Sequence, residues 1–203
     1  MTAATGKIQP SAHMGSVEPA PWCIRPAEVG DIQGIKALID PHVETGIMLP
    51  KTLTQLYESV RDFQVCVEDQ RVIGAGALHV LWEDLAEIRS LGVHPDCHGQ
   101  GVGKAIGKAL LEDAARLGVG RVFALTYATQ FFQSLGFRVI DKNLLPRKVW
   151  SDCVNCHKFP LCDEVAMIKD FRPFPDGPVG PPPDLPQVID LERLVPGLRI
   201  MKP

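Results

Sequence analysis

The stretch His98-Gly99-Gln100-Gly101-Val102-Gly103-Lys104 sets three alternate glycines between an apolar run closed by Pro95 and a helical pattern. Glycines at such a junction let several backbone N–H groups converge on one point. The helix N-terminus adds partial positive charge, so the turn suits a pyrophosphate. Two familiar phosphate loops do not fit. A P-loop needs Gly at position 98 and Ser or Thr after Lys104, where His98 and Ala105 stand. A dinucleotide fingerprint starting at Gly99 needs Gly at 104 and a first βαβ unit ahead of the turn.

The other chemically dense stretch is Cys153-X2-Cys156-X5-Cys162, with His157 inside it. The spacing is not that of paired zinc knuckles, and the neighbours Cys156 and His157 are awkward co-ligands. The group reads as reduced thiols packing a loop ahead of a structural zinc site, and no metal ligand is assigned. Cys23 and Cys66 lie in apolar runs and read as small buried hydrophobes. His79, on an apolar strand pattern, reads as a satisfied core histidine.

The elements that must position these residues follow from periodicity. Trp22–Arg25 gives a short strand signal. Asp31 then stands as an N-cap before Ile32, Ile35, Leu38 and Ile39 at helical spacing. Leu53, Leu56, Tyr57 and Val60 repeat the helical pattern after Pro50. Strands are predicted over 63–68, 72–80 and 86–93, joined at Asp69-Gln70 and Glu83-Asp84, which makes an antiparallel meander. The glycine turn opens a helix that aims Val102, Ile106, Ala109, Leu110 and Leu117 at the core. Lys108, Glu112 and Arg116 pair along its wet side at i, i+4, and Gly118 and Gly120 end it. Residues 122–126 form a buried strand, completing a parallel crossover. A short helix near 129–135 and strands at 137–140 and 164–169 complete a mixed α/β domain over residues 22–171.

The ends differ. Residues 1–21 mix Ala, Thr, Gly, Ser and Pro without periodicity and read as a flexible arm, while 172–203 form a proline-rich tail within a region that holds half of the 18 prolines. With 21 basic against 24 acidic residues, the net charge of −3 argues against a nucleic-acid surface. No apolar run is long enough to span a bilayer, and no secretory leader is visible, so a cytoplasmic protein is expected.

The glycine turn resembles motif A of the GNAT acyl-CoA N-acyltransferases, whose pattern is Arg or Gln, two residues, Gly, any residue, then Gly or Ala. Gly101 and Gly103 match, and His98 stands in the first place. Residues 91–95 and 131–137 are similar to the same family, so the resemblance covers about 22–171. It implies the GNAT fold: a central mixed sheet with an antiparallel meander, one parallel βαβ crossover and flanking helices. It further implies acetyl-CoA as co-substrate, with pantetheine along the strand of Leu91 and Val93 in the manner of an added strand. The pyrophosphate would then rest on the amides of His98, Gly99, Gln100, Gly101, Val102, Gly103 and Lys104.

Residues 46–56, 86–93, 123–126 and 144–150 are similar more narrowly to short, single-domain N-acetylglutamate synthases. That resemblance implies acetylation of the α-amine of L-glutamate, the first step of arginine biosynthesis. Two substrate carboxylates need cationic partners; Lys51, Arg89 and Arg147 are the candidates. Glu87 matches the family's glutamate base, acting through water, and a backbone N–H near Leu91 is the natural oxyanion donor. Phe132 stands where many relatives place a Tyr acid, which leaves Thr126 to stabilise the leaving thiolate. The partner is thus a small amino acid, and a homodimer is compatible with the pattern. Two alternatives stay open: a GNAT acting on another small amine, and a non-catalytic acyl-CoA-sensing module, which would have no need of Glu87.

Overall fold

The computed structural model describes residues 21–145, 158 and 162–172. The chain runs β1 (Cys23–Pro26), α1 (Ile32–Glu44), α2 (Leu53–Glu58), β2 (Phe63–Glu68), β3 (Arg71–Trp82) and β4 (Leu85–Val93). It continues with α3 (Val102–Arg116), β5 (Arg121–Thr126), α4 (Thr129–Ser134), β6 (Arg138–Val139) and β7 (Val165–Asp170). The seven strands form one sheet in the order β1-β2-β3-β4-β5-β7-β6. Its first four strands are the predicted antiparallel meander, and β4–α3–β5 is the parallel crossover. The flexible arm except Pro21, and the proline-rich tail except Arg172, lie outside the described residues.

Apolar clusters cover both faces of the sheet. On one side Ile32, Ile35, Leu38 and Ile39 of α1, with Leu56 of α2, pack on Val65, Ala75 and Ala77. On the other, Val102, Ile106, Leu110, Leu111 and Ala114 of α3 pack on Ile73, Leu78 and Ile88. Burying each large side chain contributes about 1.5–3 kcal/mol, and that term fixes the helix against the strands.

The helix ends differ from the sequence pattern in instructive ways. Asp31 occupies the cap position of α1, but its carboxylate turns away from the helix. It accepts two hydrogen bonds from the Arg25 guanidinium, at 2.6 and 2.9 Å, and one from Glu28 N–H at 2.7 Å. A bidentate cation outcompetes a neutral amide for a carboxylate. At its far end α3 closes in a Schellman turn: Val119 N–H donates to Ala114 and Gly118 N–H to Ala115, with Gly118 left-handed. That closure stops the helix a residue early, so Leu117 is 63% exposed rather than core-facing. Arg116 pairs with Asp113, three residues back, in place of Glu112.

Two further expectations are corrected. Cys66 is fully buried, and burial pushes its thiol up to about 12, but Cys23 on the edge strand is exposed. His79 is not in the core: its side chain is 36% exposed and bonds Asp62.

Arg25, through its hydrogen bonds, holds the Asp31 carboxyl below the usual carboxylate range in spite of burial. Unfolding releases Asp31 to its ordinary value. Its contribution is therefore complete above that value and is lost as pH falls through the depressed folded one. Thermal melts taken from neutral to acid pH should show Asp31→Asn losing stability at neutral pH and converging on the wild type in acid; parallel curves would exclude the pair as a source of acid sensitivity. A methyl on Gly74 would stand 2.8 Å from both Ile106 and Val102. Overpacking of this kind costs about 1–3 kcal/mol, so Gly74→Ala should lower the urea midpoint, and an unchanged midpoint would show that α3 yields freely.

Candidate functional site

The sheet opens at β4. This strand follows β3 along its length but meets β5 only at Leu85↔Arg121, Ala86↔Val122 and Glu87↔Phe123. Beyond that point β5 stays with β7, through to Thr126↔Val165. The edge of β4 past Glu87 thus faces the cleft, and among the described residues no strand pairs with its N–H and C=O groups on that side. A β-bulge accentuates the break. Ala75 faces Gly92 and Ala77 faces Arg89, so Ser90 and Leu91 together oppose a single residue, with Ser90 at a φ of 52°. The separating strands bound a cleft of about 920 Å³.

One end of the cleft is the glycine turn. Gly99 and Gly101 adopt φ of 76° and 83°, a left-handed conformation that a side chain would strain. Gly101 is the N-cap of α3, and the first intrahelical bond runs from Ala105 N–H to Gly101. The amides of Val102, Gly103 and Lys104 accordingly have no acceptor within the helix, and all three residues line the cleft. Gly103 serves another purpose. Its absent Cβ would stand 3.4 Å from Phe131 and from Val93, so glycine here lets the first turn of α3 press between β4 and α4.

Leu91, Val93, His98 and Gly99 also line the cleft. The His98 ring, however, is occupied: Nε2 donates to the Val93 carbonyl at 3.0 Å, so a ligand meets the other parts of this residue. Gln100 is outside the lining; its side-chain amide donates to the Asp96 carbonyl at 3.0 Å and buttresses the turn from behind.

At the other end, Glu87 and Arg89 project from one face of β4, as residues two apart in a strand must, and both line the cleft. Lys51, in the loop ahead of α2, reaches the same cleft, as does Thr126 at the end of β5. The Thr126 oxygen accepts the Ala128 N–H at 2.9 Å, which fixes the hydroxyl and leaves its proton to be donated. Arg147, Cys153, Cys156 and His157 lie outside the described residues. Among the described residues no group of three His, Cys, Asp or Glu is placed to hold a metal, and no helix is long and apolar enough to cross a membrane.

Glu164, which has no role in the sequence reading, also lines the cleft, as do Cys162, read only as a loop thiol, and Tyr127, a rival of Thr126 that strand alternation sets aside. Strand alternation would aim Tyr127 away from Thr126, but β5 ends at Thr126 and the chain bends, bringing both to the cleft. The Tyr127 hydroxyl donates to Asp163 and accepts from Lys158 at 2.7 Å, and burial, then the Asp163 bond, raises its pKa. Glu164 accepts from the Cys162 thiol at 3.6 Å, and burial holds its carboxyl above the usual range. The available signal was an acidic residue leading an otherwise apolar strand pattern.

An open strand edge, a cradle of amides at a helix N-terminus, and a polar end carrying both charges are what an acyl-coenzyme A transferase requires. Comparison with known proteins agrees. Residues 38–137 match the Acetyltransferase (GNAT) family. An uncharacterized N-acetyltransferase of Chlorobaculum tepidum is 36% identical over 74% of this chain and 97% of its own length. An amino-acid acetyltransferase of Mycobacterium tuberculosis is 41% identical over 64% of this chain and 75% of its own. The crystal structure of N-acetylglutamate synthase from Neisseria gonorrhoeae, complexed with coenzyme A and N-acetyl-glutamate, superposes with a TM-score of 0.69 at 27% identity. That match covers 77% of this chain and 36% of the larger enzyme. The chain belongs to the GNAT family of acetyltransferases and takes acetyl-CoA as its co-substrate.

Proposed function

We propose that the protein transfers the acetyl group of acetyl-CoA to the α-amine of L-glutamate, the first step of arginine biosynthesis, in the cytoplasm. The observation that carries this reading is that Glu87, Arg89 and Lys51 line one cleft together, beside the open edge of β4. A ligand with two carboxylates and one amine meets two cations and one carboxylate there. The naming of relatives as amino-acid acetyltransferase and N-acetylglutamate synthase supports it.

The residues of the site divide the work. The unpaired edge around Leu91 and Val93 takes the amides of pantetheine as an added strand. The first-turn amides of α3 hold the pyrophosphate. An amine attacks only as the free base, and an ordinary α-amine titrates near ~8, so a modest base is enough. Glu87 is that base, directly or through one water. A backbone N–H released by the bulge near Leu91 supports the oxyanion, and Thr126 donates its hydroxyl proton to the departing sulfur. Arg89, Lys51 and Arg147 hold the carboxylates. Glu164, a carboxyl in the same cleft, favours a second reading in which the preferred acceptor is an amino acid lacking the second carboxylate.

Thiol release measured across a panel of amino acids decides between these readings, and a preference for an acceptor with one carboxylate would replace glutamate. Lys51→Ala and Arg89→Ala should each lower kcat/KM for glutamate by about 10-fold to 100-fold, the loss of one charge-assisted pair, while the KM for acetyl-CoA stays put. Wild-type glutamate kinetics in both variants would remove them from the acceptor site. Glu87→Gln should retain acetyl-CoA binding and lose at least about 10²-fold in turnover; an unchanged pH–rate profile would exclude Glu87 as the base.

A further inference from the structure

The geometry points to His79, held by Asp62, as the positioning residue that carries the amine's proton from Glu87 to solvent. The inference rests on Glu87 being the base. His79 of β3 is the direct register partner of Glu87 of β4. Directly opposed residues of an antiparallel pair share a face, with their Cβ atoms roughly 4.5–5.5 Å apart. An imidazole and a carboxylate so placed meet directly or through a single water.

The ring is also oriented. Its Nδ1 stands 3.0 Å from Asp62 Oδ2. A carboxylate only accepts, so Nδ1 carries the hydrogen and the neutral ring presents Nε2 as an acceptor. Asp62 belongs to the turn before β2, so Asp62, His79 and Glu87 come from three neighbouring segments of the chain's fold. Both groups remain in touch with water, at 36% and 29% side-chain exposure, whereas Glu87 lines the cleft. A buried structural histidine has no need of that exposure. The charged neighbours are Asp62, Glu87, Arg89 one alternation further along β4, and Arg61 beside Asp62 in the turn.

A protonated α-amine must lose one proton before its lone pair can attack. The N–H bond breaks and the proton passes to the Glu87 carboxylate, and from there to His79 Nε2, while Nδ1–H stays bonded to Asp62. The imidazolium then gives a proton to bulk water and Glu87 is again a carboxylate. No electrons move other than within these bonds.

His79→Ala should lower kcat about 10-fold with both KM values within about 2-fold of wild type, and imidazole added to the buffer should restore the rate in proportion to its concentration. Rescue marks a proton-transfer role, because repacking a surface side chain gains nothing from free imidazole. Asp62→Asn should lose rate in the same direction, and the double variant should be no slower than His79→Ala alone. A His79→Ala enzyme with undiminished kcat, or a deficit that imidazole leaves untouched while the melting temperature falls, overturns the relay. If Glu87→Gln itself keeps its wild-type pH–rate profile, the reading of the base has failed instead, and the two failures are told apart.

Discussion

A strand can be shared by two neighbours only while both follow its course, and β4 loses one of them at Glu87. β5 is committed to β7 over its whole length, at register pairs from Arg121↔Asp170 to Thr126↔Val165, so it cannot also accompany β4 around the bulge. Everything functional in the cleft follows from that divergence. The edge of β4 is left open past Glu87, Glu87 stands at the last paired position, and Thr126 lines the same cleft from the end of β5. The bulge at Ser90 and Leu91 keeps the two strands apart in spite of the hydrogen bonds their closure would gain.

The helix that follows β4 is held to the same geometry by packing. Gly74 and Gly76 of β3 leave room for Val102, Ile106 and Leu110, and Gly107 does so for Leu135. With Gly103 pressed between Val93 and Phe131, the first turn of α3 cannot slide along the sheet. The amide cradle therefore stays in line with the open strand edge, so that one extended ligand can meet both. Positioning here comes from missing side chains as much as from present ones.

Much of this was legible in the sequence. Period-2 patterning separated by Asp69-Gln70 and Glu83-Asp84 gave the meander, and an unusual density of glycine at 99–103 gave the turn. Both signals are local, which is why they could be read. What was not legible depends on which of several partners wins and on how the strands are brought together. The Arg25 guanidinium draws Asp31 out of its capping role, the Schellman closure at Gly118 exposes Leu117, and β3–β4 register brings the half-exposed His79 across from Glu87. Glu164 enters the cleft only because β7 pairs with β5, forty residues of chain after that strand begins, roughly speaking. Thr126 and Tyr127 fall together because the strand ends between them.

The cleft draws its two sides from separate stretches of the chain. The open edge of β4 and the amide cradle are complete by the first turn of α3, whereas Cys162 and Glu164 hang from the start of β7. The ladder between β5 and β7 joins these stretches through backbone hydrogen bonds and the packing of Phe123 on Ala166 and Ile168, neither of which depends on which side chains precede Val165. Heredity can therefore rewrite the segment before β7 without touching the half built from β4 and the first turn of α3. A lineage built on this scaffold is free to wander among amines while its acyl donor stays the same.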